Sequence, residues 1–217
     1  KGECILTNAR TAEMAKLTEN SSRDVQIAFA NELSLICDEL DINVWELIDV
    51  ANRHPRVNIL KPGPGVGGHC IAVDPWFLIS DHKDKSKLMH SARQVNIYKE
   101  RWVVEKIKNA IKEIQKLPNE ISVACFGLSF KANVDDMRES PALRIYQEVK
   151  KFHEGDVIAV EPNISGIIEH PEILFMSTND ALSNADILVL LVDHEEFYGL
   201  NLPDKKKVID TRGIWSE

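Results

Sequence analysis

The run Lys61-Pro62-Gly63-Pro64-Gly65-Val66-Gly67-Gly68-His69-Cys70 leads into Ile71-Ala72-Val73-Asp74-Pro75-Trp76, so a glycine-rich stretch delivers a cysteine and a carboxylate follows one helical turn later. Gly63, Gly65, Gly67 and Gly68 carry almost no side-chain bulk. A substrate can therefore approach the backbone, and the Cys70 thiol can stand unshielded as a nucleophile. Without such neighbours a lone cysteine reads as a small core hydrophobe. That is the reading for Cys37, on an apolar helical pattern, and for Cys125, in a strand pattern. Asp74 alone reads as a cap or turn before Pro75. His69 and Cys70 are adjacent and point apart in extended chain, so His69 is a loop determinant rather than a base. Residues 63–68 fit G-x-G-x-x-G formally, but a dinucleotide fingerprint must open a helix, and here Pro64 lies inside it and a His-Cys run follows.

Cations form a second group. Lys131 follows a strand pattern, Arg138 precedes Ser140-Pro141 at a helix start, and Arg212 follows a later strand. All three belong to the C-terminal edge of a parallel sheet, where doubly wound folds bind ligands, and a helix N-terminus adds a positive dipole end. An anion site and a mixed-charge surface loop both fit Lys131 and Arg138; convergence of three cations favours the anion. Lys16 and Asn20 lie four apart and share a helix face. Their spacing alone reads as two solvated polar residues.

The elements that must position these residues follow from periodicity. Apolar residues near every third and fourth position predict helix over 11–50, with Ala15, Leu17, Val25, Phe29, Leu33, Ile36 and Leu40 on its stripe and Asn43 capping a second helix. Pro55, Pro62 and Pro64 make 52–76 a loop. The longest helix is predicted over 91–116; it would reach about 39 Å and suits a connector or subunit interface. After Pro118 strands are predicted at 121–126, 157–160, 174–176, 187–192 and 207–210, with helices at 140–152 and 179–185 between them. That alternation is α/β: a helical part, residues 1–117, followed by a Rossmann-like doubly wound parallel sheet, residues 118–217.

Composition bounds the function. The chain has 217 residues, 44% hydrophobic and 28% charged, as in an ordinary globular protein. A net charge of −8 argues against nucleic-acid binding. The four cysteines form no C-x-x-C pair, which predicts no metal site and points to reduced thiols in the cytoplasm. No apolar run is long enough to span a membrane. Lys1 does not look like a natural start and suggests a fragment or processed chain.

Together, Glu13-Met14-Ala15-Lys16-Leu17-Thr18-Glu19-Asn20 with Asn31-Glu32, the loop from Gly63 to Asp74, and Gly127-Leu128-Ser129-Phe130-Lys131 through Asp136-Met137-Arg138-Glu139-Ser140-Pro141 resemble the nucleotide-sugar 6-dehydrogenases. The resemblance spans nearly the whole chain in order. Gly-Gly-His-Cys-Ile-Ala-Val-Asp-Pro-Trp, and residues 52–58, are similar to the UDP-N-acetyl-D-mannosamine branch. UDP-N-acetylglucosamine and UDP-glucose 6-dehydrogenases are the competing branches.

The resemblance implies NAD-dependent, four-electron oxidation of a sugar C6 alcohol to a carboxylate. It implies Cys70 as nucleophile, Lys16 as oxyanion stabiliser, Asn20 as its partner in positioning oxygen, and Asp74 as positioner or activator of water. It implies contacts to the UDP-sugar from Lys61, Gly63, Gly65, Gly67, Gly68, His69, Lys131 and Arg212, from Arg56 toward a neighbouring subunit, and an NAD contact from Arg138. A homodimer through the helical part is also implied. The match covers a family's central and UDP-binding parts, so the N-terminal NAD domain is expected to be missing and the chain alone inactive. A non-catalytic UDP-binding or dimerisation module and a cysteine hydrolase are the rival readings.

Overall fold

The computed structural model describes residues 2–164 and 170–215; Lys1 lies outside them. Four helices come first: α1 (Ala9–Glu39), α2 (Val44–Ala51), α3 (Asp74–Asp81) and α4 (Lys87–Glu113). Asn8 caps α1 by accepting from the Thr11 N–H, and Asn43 caps α2 by accepting from Trp45 and Glu46. Helix α4 packs along α1 on one side and along α5 (Pro141–Phe152) on the other. It thereby joins the helical part to the sheet.

The α1–α4 seam is polar, which differs from the apolar stripe expected. Asn20, Ser21, Asp24, Asn31 and Ser34 are buried, whereas Phe29, Ile36 and Leu40 are about half exposed or more. Arg93 Nη1 donates to Asp24 Oδ1 at 2.7 Å, Asn96 Nδ2 to the same oxygen at 2.8 Å, and Lys99 Nζ to Ser34 Oγ at 2.6 Å. Apolar periodicity finds such helices but assigns them the wrong inner face, because here hydrogen bonds hold the face together.

Strands β1 (Val123–Phe126), β2 (Val157–Val160), β3 (Leu174–Phe175), β4 (Ile187–Leu190) and β5 (Lys207–Asp210) form one parallel sheet in the order β3-β2-β1-β4-β5. Helix α6 (Thr178–Asn184) connects β3 to β4. β1, β2 and β4 are buried at every position, as strands covered on both faces must be. Val123, Cys125, Val157 and Val189 face α4 and α5; Ala124, Phe126, Ile158 and Leu190 face α6 and Phe197.

Most strand and helix ends fall within two residues of expectation. Two helices depart further. Helix α3 was not expected: it begins at the end of the stretch read as loop and runs on to Asp81, with Pro75 in its first turn, where a missing N–H costs nothing. Helix α4 spans Lys87–Glu113 rather than 91–116.

Candidate functional site

In this strand order the chain reverses direction between β1 and β4. Loops leaving their C-terminal ends therefore diverge and open a crevice. The β1 loop turns at Gly127, whose φ is 84° and where a Cβ would lie 2.4 Å from that of Val192. It then carries Ser129, Phe130 and Lys131. The β4 loop carries Asp193, and Arg212 follows β5. These residues, with Pro64 and Gly65, line a cavity of about 80 Å³. Arg212 donates through Nε to Asp193 Oδ1 at 2.8 Å, so one carboxylate offsets part of its charge. Lys131 is exposed, its ammonium 5.8 Å from the Phe130 ring centre.

Two of the three expected cations meet here, not three. Arg138 points elsewhere, 78% exposed and bound through Nε and Nη2 to Asp136. The Arg138 hydrogen bonds hold the Asp136 carboxyl down at about 2. Arg138 lines a separate cavity with Asp135, Leu143, Ile164 and His170.

The glycine loop lies against this crevice, and that is what its glycines serve. A Cβ at Gly63 would meet Arg212 Nη1 at 2.4 Å, and one at Gly67 would meet Pro141 Cδ at 2.5 Å and the Glu139 carbonyl at 2.6 Å. Gly68 adopts φ 82° beneath the Phe130 ring. The missing side chains thus admit protein as well as any substrate. The Gly63 N–H is held by Asn31 Oδ1 at 2.9 Å, and Asn31 Nδ2 donates to Asn96, which reaches Asp24. Buried polar groups in α1 and α4 thereby fix the start of the loop.

At the loop's other end the Cys70 carbonyl accepts from the Asp74 N–H at 2.8 Å, so the two residues stack one turn apart. Asp74 Oδ2 accepts from Asn20 Nδ2 on α1, a residue only 7% exposed. Lys16 lies one turn before Asn20, exposed, with its ammonium 3.8 Å from Glu19. Cys70 is half-buried. Cys37 and Cys125 are sealed in, and burial pushes the Cys125 thiol up to about 12. His69, Lys61 and Arg56 are exposed; the Arg56 N–H donates to His54.

The contributions of Asp193, Glu161 and His194 escape a sequence reading. Asn31 and Phe130 enter one only as members of the motifs quoted for the resemblance, since Asn31 lies off the apolar stripe of α1. No group of three or more His, Cys, Asp or Glu placed to hold a metal occurs among the described residues. Nor is any helix among them long and apolar enough to cross a membrane.

This fold and crevice have close counterparts. Residues 10–98 match the central domain of the UDP-glucose/GDP-mannose dehydrogenase family and residues 124–217 its UDP binding domain. The chain belongs to that family. It is 53% identical to the UDP-N-acetyl-D-mannosamine dehydrogenase of Salmonella typhi, over 99% of this chain and 53% of that protein. It is 55% identical to an NDP-N-acetyl-D-galactosaminuronic acid dehydrogenase of Ralstonia solanacearum, over 100% of this chain and 51% of that protein. A solved UDP-D-ManNAc dehydrogenase from Pyrococcus horikoshii superposes with a TM-score of 0.88 at 37% identity, covering 100% of this chain and 51% of its own. The chain spans about half the length of the curated relatives it matches.

Proposed function

We propose that these residues form the thiol and nucleotide half of an NAD-dependent 6-dehydrogenase acting on UDP-N-acetyl-D-mannosamine. One observation carries the reading: a single loop presses on Arg212 at Gly63 and on Phe130 at Gly68, and two residues later presents Cys70. A UDP group held at Lys131 and Arg212 would set its sugar toward that thiol. The Cys70 thiolate would add to the C6 aldehyde as a thiohemiacetal, and after oxidation to the thioester water would release the acid. Lys16 would stabilise the oxyanion, Asn20 would position the oxygen, and Asp74, oriented by Asn20, would place or activate the water. Arg56 would serve the site of a second copy, and the backbone N–H groups from Lys61 to His69 the uridine and sugar.

NAD is the oxidant this reading implies, two per turnover. The described residues offer it Arg138 and no glycine-rich turn opening a helix, so they do not make a dinucleotide cradle on their own. The Ralstonia relative favours a second reading, the galacto epimer of the N-acetylhexosamine. The test is NADH formation by the complete protein containing this chain, with the UDP-linked manno, galacto and gluco N-acetylhexosamines and UDP-glucose offered separately. Two NADH per UDP-N-acetyl-D-mannosamine consumed is expected. No NADH from any of them, in folded protein supplied with NAD, overturns the reading.

A further inference from the structure

Beneath the Lys131 loop lies a buried acid–base pair that the reaction above does not use. Glu161 is the residue after β2, and His194 stands beyond β4. Both side chains are fully buried, with His194 Nε2 3.2 Å from Glu161 Oε2. The Glu161 carboxylate accepts from the backbone N–H of Leu128 at 2.7 Å and of Ser129 at 3.0 Å. On the far side of the ring, His194 Nδ1 accepts from the backbone N–H of Asn133 at 3.0 Å, and Asn163 Nδ2 lies 2.8 Å from the same nitrogen. A nitrogen facing two donors carries no proton, so the network assigns the ring proton to Nε2, facing Glu161 and Ser129 Oγ.

The consequence falls on Lys131. The loop from Leu128 to Asn133 is pinned at its start by Glu161 and at its end by His194. Ser129 Oγ donates to the Lys131 carbonyl at 2.7 Å and holds the middle. Asn133 closes the loop with φ 59°, a left-handed conformation that needs support; its side chain also accepts from the Glu195 N–H at 3.0 Å. Desolvating an acid and an imidazole costs more than packing two apolar residues. What the pair supplies in return is direction: three fixed hydrogen bonds to the backbone of a six-residue loop that carries the exposed Lys131.

We propose that Glu161 and His194 are positioning residues for nucleotide binding, fixing the loop that sets the reach of Lys131 toward the diphosphate. This rests on the UDP reading above.

A double-mutant cycle tests it, with UDP affinity measured by calorimetry and folding by circular dichroism on the complete protein. His194→Ala is expected to weaken UDP binding about tenfold, and to do nothing further once Lys131→Ala is present. His194→Asn, whose side-chain oxygen can accept from the Asn133 N–H, is expected to restore most of the affinity. Equal losses with and without Lys131, or wild-type affinity in His194→Ala, overturn the inference and leave the UDP reading standing. If His194→Ala does not fold, His194→Gln replaces it; its amide can donate to Glu161 but cannot serve Asn133, so it must show the same Lys131-dependent loss. Folded wild-type protein that gives no heat with UDP overturns the UDP reading, and this inference with it.

Discussion

Water reaches Cys70 and not Cys37 or Cys125, and that difference decides which thiol can react. In the native protein iodoacetamide is expected to label Cys70 and the exposed Cys4 and to spare the other two; mass spectrometry of the labelled peptides reads this directly, and modification of Cys125 in folded protein contradicts it. On the proposed function, Cys70→Ser in the complete protein containing this chain is expected to lower acid formation by at least about a thousandfold while UDP affinity stays within about twofold. Normal turnover by that variant removes Cys70 from the mechanism. Lys99 makes a prediction of another kind. Burial takes its amine from the usual 10.5 down to about 7, against the opposing pull of Asp38, and the Trp102 face 3.8 Å away also favours the ammonium. Between about pH 7 and the ordinary lysine value the unfolded chain holds a proton that the native chain has released, so stability rises with pH through that window and is flat below it. Lys99→Met removes this dependence. Its stability relative to wild type, from urea unfolding, is expected to be most favourable near neutral pH and to shrink toward about pH 10; parallel curves would count against a depressed lysine.

Helices α1 and α4 and every strand were legible from periodicity, because each is either amphipathic or buried on both faces. Which face of α1 turns inward was not, since the seam is built from Asn20, Asp24, Asn31 and Ser34 rather than from leucines. The Asp24–Arg93 pair at its centre is almost fully buried. Arg93→Met leaves that carboxylate without its cation and is expected to cost about 3–5 kcal/mol, while adding Asp24→Leu recovers most of the loss. Chemical unfolding of both variants measures it, and a double variant no better than the single one means the seam needs the charges themselves. The glycine loop was read as open to substrate, and the structure adds that it is pressed against Glu139, Pro141 and Arg212. Contacts so far away in sequence leave no local trace. Gly67→Ala is expected to cost about 1–3 kcal/mol, because its methyl would lie 2.5 Å from Pro141 Cδ. It is expected to weaken UDP binding as well, by pushing the loop off the crevice; unchanged stability and affinity together would mean that Pro141 yields freely.

At the scale of the molecule, alternation of strands and helices announced a parallel sheet, but not the β3-β2-β1-β4-β5 order that makes β1 and β4 neighbours and so brings Lys131, Asp193 and Arg212 to one cavity. Strand order depends on crossover connections, which a local pattern does not encode. The helical end poses the converse problem. Phe29, Ile36 and Leu40 recur along one side of α1 at 52%, 49% and 61% exposure, and Val50 of α2 adds 60%. Seven- and four-residue spacings put the α1 residues in one row, the apolar stripe expected from the sequence, here facing away from the polar seam. Apolar rows of this kind facing water call for a cover, and a second copy meeting the first through the same helices, as the resemblance implies, would supply it. The chain is then expected to sediment as a dimer at micromolar concentration, and the double substitution Phe29→Glu with Leu40→Glu to shift it to monomer while UDP binding at Lys131 and Arg212 persists. Wild-type protein that stays monomeric would leave this face to some other cover. A charged variant that stays dimeric would place the subunit contact on another surface.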